Sequence, residues 1–474
     1  MAVETTYPNY QPLRSRWVPR VPEHWSPLRA KNFLREIDDR SKTGEETLLS
    51  MRMQRGLVPH NDVSVKRIAP ENLIGYKKAQ PDELVLNRMQ AGNAMFFRNR
   101  QSGLVSPDYA VFRLLRDDNP EYLGHLFRSW PMRGLFRSES KGLGTGTSGF
   151  LRLYSDRFAS LEIPLPSRPE QDQIVAYLRA QDAHIARFIQ AKRDLIKLLT
   201  EQKLRIIDHA VTRGLNAAVA LKPSSIEWLG EVPEHWEVAL IKHVADVRFS
   251  GVDKHSHDHE TPVRLCNYTD VYKNDRITDD MELMHATATA AEIARLTLKA
   301  GDVILTKDSE TPDDIGIPAW VPEDLPGVVC AYHLGLLRPV PDRVLGEFLF
   351  RAVGSARTAQ QFHVLATGVT RFALGKHDVK NAVIALPPVE EQKAICRWIT
   401  DECKPMDDAI TRTEEEIKLI REYRDRLIAD VVTGQVDVRS WQPSPDDVVA
   451  EEDLAALAAD EEIETDGEDD DVDE

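Results

Sequence analysis

Cysteine is scarce in this chain. There are four in 474 residues (Cys266, Cys330, Cys396 and Cys403), all in the second half and none in a CxxC pair. So few exclude a disulfide framework, and a reducing, cytoplasmic setting is expected. Long apolar runs are missing too. Stretches such as Val328–Tyr332 fall far short of the ~20 residues that span a bilayer, so no membrane contact is expected. The opening MAVETTYPNYQP has neither the basic nor the apolar region of a secretory signal. Basic residues are absent from one long stretch: Gln442–Glu474 holds 16 Asp and Glu and no Lys or Arg. Without that stretch the net charge moves from -17 to -1. The acidic balance therefore describes a tail and does not exclude nucleic acid as a partner.

What is present is a globular composition, 42% hydrophobic and 29% charged, and an internal repeat. Trp17–Trp25 (WVPRVPEHW) recurs as Trp228–Trp236 (WLGEVPEHW), offset by 211. Leu165-Pro166 with Glu170-Gln171 recurs as Leu386-Pro387 with Glu391-Gln392, offset by 221, and the same offset aligns Ala210–Gly214 with Val431–Gln435. Matches that keep their order define a duplication. Each half reads as an opening motif, a divergent segment and a helical segment. Within the divergent segments Asp82–Arg88 (DELVLNR) echoes Gly301–Lys307 (GDVILTK). Strand-like runs at Tyr109–Leu115 and Val328–Leu337, and short helical stretches over Pro120–Arg137, predict mixed α+β domains.

Pro169–His209 contains no internal Pro or Gly and is followed by Gly214; its copy runs from Glu390 to about Val432 and stops at Gly434. Forty residues make a rod of roughly 60 Å. A seven-residue apolar series, Leu178, Ile185, Leu199 and Ile206, interrupted at Lys192, is matched by Ile399, Met406, Ile420 and Leu427, interrupted at Thr413. This pattern predicts a coiled-coil core, with antiparallel pairing preferred. The alternative is two amphipathic helices, each packed on its own domain.

The expected organisation is an N-terminal arm and opening motif (1–25), a first domain (26–163), a helical spacer (164–216), a linker and second opening motif (217–236), a second domain (237–383), a second spacer (384–441) and a disordered acidic tail (442–474). Two divergent domains held apart by a rigid spacer suit the reading of two sites on one long ligand, and DNA is the obvious one. The first domain carries a net +6, the second -5, so charge supports this only in part.

The paired VPEHW motifs, the LPxxxEQ-type approaches ending at Gln171 and Gln392, the stretch Gly368-Val-Thr-Arg371, and Asn267-Tyr-Thr-Asp-Val-Tyr272 after Gly251-Val-Asp-Lys254 resemble the DNA-specificity subunit of type I restriction–modification systems. The resemblance covers Trp17 to about Trp441. It implies an α+β fold with two tandem target-recognition domains, separated by a pair of long antiparallel coiled-coil helices in a pseudo-two-fold repeat. It also implies a bipartite double-stranded DNA target and two modification subunits that methylate adenine. Restriction subunits are implied as well, with S-adenosylmethionine, ATP and Mg on those partners and no cofactor or catalysis in this chain. The first domain departs from the pattern, with Thr147-Ser-Gly149 where the second has Gly-Val-Thr-Arg, and the acidic tail lies outside it.

DNA contacts are expected from bases and small polar residues in loops: Arg52, Arg55, Arg88, Lys141 and Thr147 in the first domain, and Lys254, Lys307, Thr370 and Arg371 in the second. Gly144–Gly149 satisfies G-x-G-x-x-G, but a helix-like stretch before it and a strand-like one after it favour a glycine loop over a dinucleotide site. His255, His257 and His259 alternate, yet no cysteine or HExxH spacing supports a metal, and a polar loop near DNA is the preferred reading. A self-sufficient methyltransferase or nuclease and a coiled-coil protein adaptor are the competing functions.

Overall fold

The two opening motifs fold alike. In the computed structural model, which describes residues 6–53, 55–143, 150–445 and 447–457, Arg20–Pro22 pairs antiparallel with Tyr10–Pro12, and Glu231–Pro233 with Leu221–Pro223. A second antiparallel pair follows in each half: Ser26–Arg29 with Glu162–Leu165, and Glu237–Leu240 with Val383–Leu386. The segment that opens each domain is thus laid against the one that leaves it, just before a long helix. The chain forms two compact units, residues 1–194 with 413–474, and residues 195–412.

The first unit is built on an antiparallel sheet of β1 (Leu34–Ile37), β2 (Leu84–Asn87), β3 (Phe96–Arg98) and β4 (Tyr109–Leu114), in the order β1-β4-β2-β3. Alternate residues point to opposite faces. Leu84, Leu86, Phe96 and Phe112 enter the main core, while Val85, Phe97 and Val111 enter a smaller one. Two helices, Pro120–Arg128 and Trp130–Glu139, close the main face with Tyr122, Phe127 and Phe136. The short helical stretches expected over Pro120–Arg137 divide at Ser129, whose backbone is extended. Pro131 lacks the N–H that a continuous helix would donate to Phe127, and the Ser129 hydroxyl donates instead to the Leu126 carbonyl at 2.7 Å.

In the second unit β5 (Ala245–Phe249), β6 (Val303–Thr306), β7 (Pro318–Trp320) and β8 (Leu334–Pro339) pair antiparallel in the order β5-β8-β6-β7. This repeats the strand order of the first unit. Here too two helices follow, Gly346–Val353 and Ala356–Leu365, joined at Ser355. A three-stranded sheet is added, with Thr261–Cys266 between Met284–Ala288 and Val328–Cys330. The strand-like run Val328–Leu337 is therefore two strands in different sheets. Ala331 N–H still bonds to Cys266 (3.0 Å), then Leu334 N–H closes a turn onto Ala331 (3.2 Å) and β8 begins.

The long helices are Arg168–Arg213 and Val389–Val432, 46 and 44 residues, each starting one residue before its expected position. Gly214 (φ +73°) and Gly434 (φ +74°) follow their ends in the left-handed conformation that glycine adopts without a Cβ clash. Pro405 sits inside the second helix without ending it. In the first unit Asp182 pairs with Arg424, and Lys192 with Glu416, so ascending numbers on one helix meet descending numbers on the other. In the second unit Lys203 meets Asp407. Of the heptad series Leu178, Ile185, Leu427, Ile399 and Met406 are buried, while Leu199, Ile206 and Ile420 are half-buried. Leu178 and Leu427 join the core of the first domain, and Leu199, Ile206, Ile399 and Met406 that of the second. The same faces thus serve the domain cores; helix pairing and packing on a domain are not exclusive. Thr413, at the break in the series, is buried, and Lys192 is half-exposed against Glu416.

Each Glu-Gln pair anchors its helix. Gln171 donates to Asp118 and to the Pro166 carbonyl and accepts from Asn119 N–H (2.9, 3.0 and 2.6 Å). Gln392 donates to the Pro387 and Arg343 carbonyls and accepts from Leu345 N–H (2.8, 3.0 and 2.8 Å).

The acidic tail departs from expectation over its described part. Residues 451–457 are helical, Leu457 is buried, and Asp447 bonds to His184 at 2.7 Å. Val448, Val449, Leu454 and Leu457 supply apolar side chains that composition averaged over the whole tail conceals.

Candidate nucleic-acid interface

Two residues expected to touch DNA are brought together in the second unit. Lys307 directly follows β6, and its ammonium lies over Tyr332 (4.5 Å) and Phe249 (5.5 Å). Arg371 lies on the turn between Thr367–Gly368 and Phe372–Ala373, strands that pair with each other, the second pairing also with Asp308–Ser309. Leu374 N–H bonds to the Lys307 carbonyl at 2.8 Å, which ties this hairpin to the residue after β6. Between them stands His333. Its Nδ1 is 2.7 Å from Asp308 Oδ2 and 3.4 Å from an Arg371 nitrogen. The Asp308 carboxylate can only accept, so Nδ1–H donates to it. Thr370 and Arg371 are exposed, as is Val369 at the tip.

Sequence reasoning missed the aromatic part of this cluster. Tyr268 and Tyr272, one helical turn apart on Tyr268–Lys273, stack at 5.6 Å. An Asn267/Asp270 capping box starts that short helix. Burial, followed by the Asp314 charge, raises the Tyr268 pKa, and a hydroxyl bond to Asp314 raises that of Tyr272, so both rings are neutral at physiological pH. The available signal was Asn267–Tyr272, noted for the resemblance but not for contacts. Tyr332 and His333 gave none, lying inside an apparent strand. Together the cluster offers flat aromatic faces beside cations, a combination suited to phosphates and bases. Lys254, also expected here, is exposed on the loop before Thr261–Cys266, which carries His255, His257 and His259. No group of His, Cys, Asp and Glu that could hold a metal occurs among the described residues.

The first domain's candidates do not converge in this way. Arg88, in the position of Lys307, is mostly buried against Glu36 and donates to Ser155 at 3.0 Å, a structural ion pair rather than a surface hand. Arg52 is exposed at a strand end and reaches the Val63 carbonyl at 3.2 Å. Arg55 is exposed in the following turn, at the rim of a cleft. Lys141 is exposed on Lys141–Leu143, which pairs with Phe150–Arg152. A strand, not a helix, therefore precedes the glycine stretch; Thr147 and Gly144–Gly149 lie outside the described residues.

No protein-family model matches the chain. Among curated proteins it is similar to the type I restriction enzyme MjaVIII specificity subunit of Methanocaldococcus jannaschii, 23% identical over 89% of this chain and 95% of that one. It is also similar to the type I restriction enzyme EcoKI specificity subunit of Escherichia coli K12, 20% identical over 82% of each. Among solved structures, a chain from work on complex assembly and conformational transition of the type I R-M system is 14% identical and matches with a TM-score of 0.59, over 88% of this chain and 99% of that one; it shares the fold. The resemblance drawn from the duplicated motifs holds over most of the chain: the protein is similar to type I restriction specificity subunits. No helix among the described residues is long and apolar enough to cross a membrane.

Proposed function

We propose that this chain is the non-catalytic DNA-specificity subunit of a type I restriction–modification complex. Each domain reads one half of a bipartite target, and the two long helices set the spacing and dock the modification subunits. Adenine methylation, with S-adenosylmethionine, belongs to those subunits, and ATP- and Mg-dependent translocation and cleavage to restriction subunits. The observation that carries this reading is the duplication itself: one strand order and one helix-anchoring Glu-Gln pair occur in both halves of a chain similar to specificity subunits. The Lys307–Arg371 cluster supports a DNA-facing end on the second domain.

Host methylome sequencing tests it. Deleting the gene should abolish one bipartite methyladenine motif, and replacing 237–383 with a related domain should alter one half of that motif only. A motif unaffected by deletion, or both halves altered by the exchange, would overturn the reading. Turnover by the purified chain alone with S-adenosylmethionine or Mg²⁺ would favour a self-sufficient enzyme instead.

A further inference from the structure

The first unit contains a cleft of about 890 Å³. Arg55, Arg100, Arg128 and Arg133 line it from the domain, Arg179 from the first long helix and Arg421 from the second. Some of its charge is neutralised internally: Arg179 is held by Glu121, and Arg424 by Asp182. Arg100 and Arg133 are exposed. So many guanidiniums on one concave surface suit an anion with several charges, because each planar fork can take two phosphate oxygens.

One wall of this cleft is the chain's own C-terminal segment. Glu451, Leu454, Ala455 and Leu457 line it, and Leu457 is only 3% exposed. The segment is fastened by specific bonds. Gln173 donates to the Trp441 carbonyl (2.6 Å), and Trp441 packs edge-on against Tyr177 (5.5 Å). His184 then pairs with Asp447 (2.7 Å), and Arg187 reaches the Val448 carbonyl (2.8 Å) and Asp453 (3.1 Å). After Leu457 the sequence adds 11 more acidic residues and no base.

We propose that this cleft binds the phosphodiester backbone of DNA and that the acidic segment docked through residues 447–457 is its intramolecular competitor, anchored on His184 and Arg187 and displaced when a duplex binds. The ligand assignment rests on the DNA-reading function; the docking of the segment does not. The device holds non-specific affinity down, since a chain whose cleft is walled by its own acidic segment gains little from random duplex and yields that segment only where further contacts add to the binding.

The test uses the full chain, a chain ending at Trp441, and a full-length His184→Ala/Arg187→Ala variant that keeps every acid but loses the anchor. Binding of a scrambled duplex of roughly 30 base pairs is measured at about 50 and 200 mM salt, and the truncated chain should bind about tenfold tighter at the lower salt, with a steeper salt dependence. The anchor variant should show part of that gain. Arg100→Ala/Arg133→Ala in the truncated chain should remove it without changing the melting temperature. A synthetic peptide of residues 442–474 should bind the truncated chain and not its His184→Ala/Arg187→Ala form. Equal affinities for full and truncated chains, a gain that survives the arginine substitutions, or a peptide that does not bind would each overturn the proposal. Absence of any duplex binding by every form would instead overturn the DNA-reading function, while the peptide measurement still decides whether the segment occupies the cleft.

Discussion

Glu170 accepts the indole N–H of Trp25 at 3.0 Å, joining the last residue of the first VPEHW to the first turn of the long helix. Tyr7 donates to the same carboxylate at 2.8 Å and His24 lies 2.9 Å from it. The second copy keeps the His235–Glu391 pair at 2.8 Å, but the Trp236 indole N–H has no hydrogen-bond partner among the described residues. Glu170 is buried whereas Glu391 is half-exposed. Glu170→Ala leaves up to three donors without their acceptor and should destabilise the chain by about 2–4 kcal/mol in urea unfolding. Glu391→Ala should cost about 1 kcal/mol or less, as for an exposed pair. Equal losses at the two positions would contradict this asymmetry.

The duplication was legible because VPEHW and the Leu-Pro and Glu-Gln pairs survive as identical residues, and the helices because a Pro- and Gly-free run ends at glycine. The sheets were not. Their strands are two to six residues long and their partners distant, as with Leu34 opposite Leu114, so no local pattern encodes the order. The candidate site was half legible. Lys307 and Arg371 stood out by motif and meet around His333. Arg88 looked identical in kind, but Glu36, 52 residues earlier, takes its charge. The tail's composition is that of a disordered chain, and only the three-dimensional position of His184 and Arg187 shows what its first part binds.

Arg371 and Lys307 should fail differently. Arg371 is exposed on a hairpin turn, as the proposed reading of a base edge requires. Arg371→Ala should cost about 1–3 kcal/mol on the cognate duplex and relax one half of the target. Lys307, held over Tyr332, suits a phosphate. Lys307→Ala should weaken all duplexes alike and reduce the salt slope by about 1. Competition binding with each half-site scrambled in turn separates the two; loss of both half-sites on Arg371→Ala would exclude a base-reading role.

The Asp182–Arg424 and Lys192–Glu416 ion pairs join the long helices within the first unit, and their environments differ. Asp182 and Arg424 are both mostly buried, whereas Lys192 is partly and Glu416 half exposed. Removing one partner of a buried pair strands a charge, so Asp182→Ala should cost about 3 kcal/mol, while Glu416→Ala should stay within about 1 kcal/mol. Thermal unfolding of the two variants reads the difference, and similar losses would mean that burial does not govern these pairs.

All four cysteines are free and buried. Burial pushes the Cys396 thiol up to about 12, and burial likewise raises the other three. Thiolate is the reactive form, and at pH 8 the native chain holds almost none of it. Iodoacetamide should therefore leave the native protein unlabelled at pH 8 and modify all four sites in urea. Because Cys396 and Cys403 lie on the second long helix, within the core of the second unit, and Cys266 and Cys330 in a separate core of that unit, mass spectrometry along a urea titration also shows which opens first. Labelling of Cys403 before Cys266 would mean that the helix releases from its domain before the domain itself unfolds; simultaneous labelling would mean that helix and domain unfold as one.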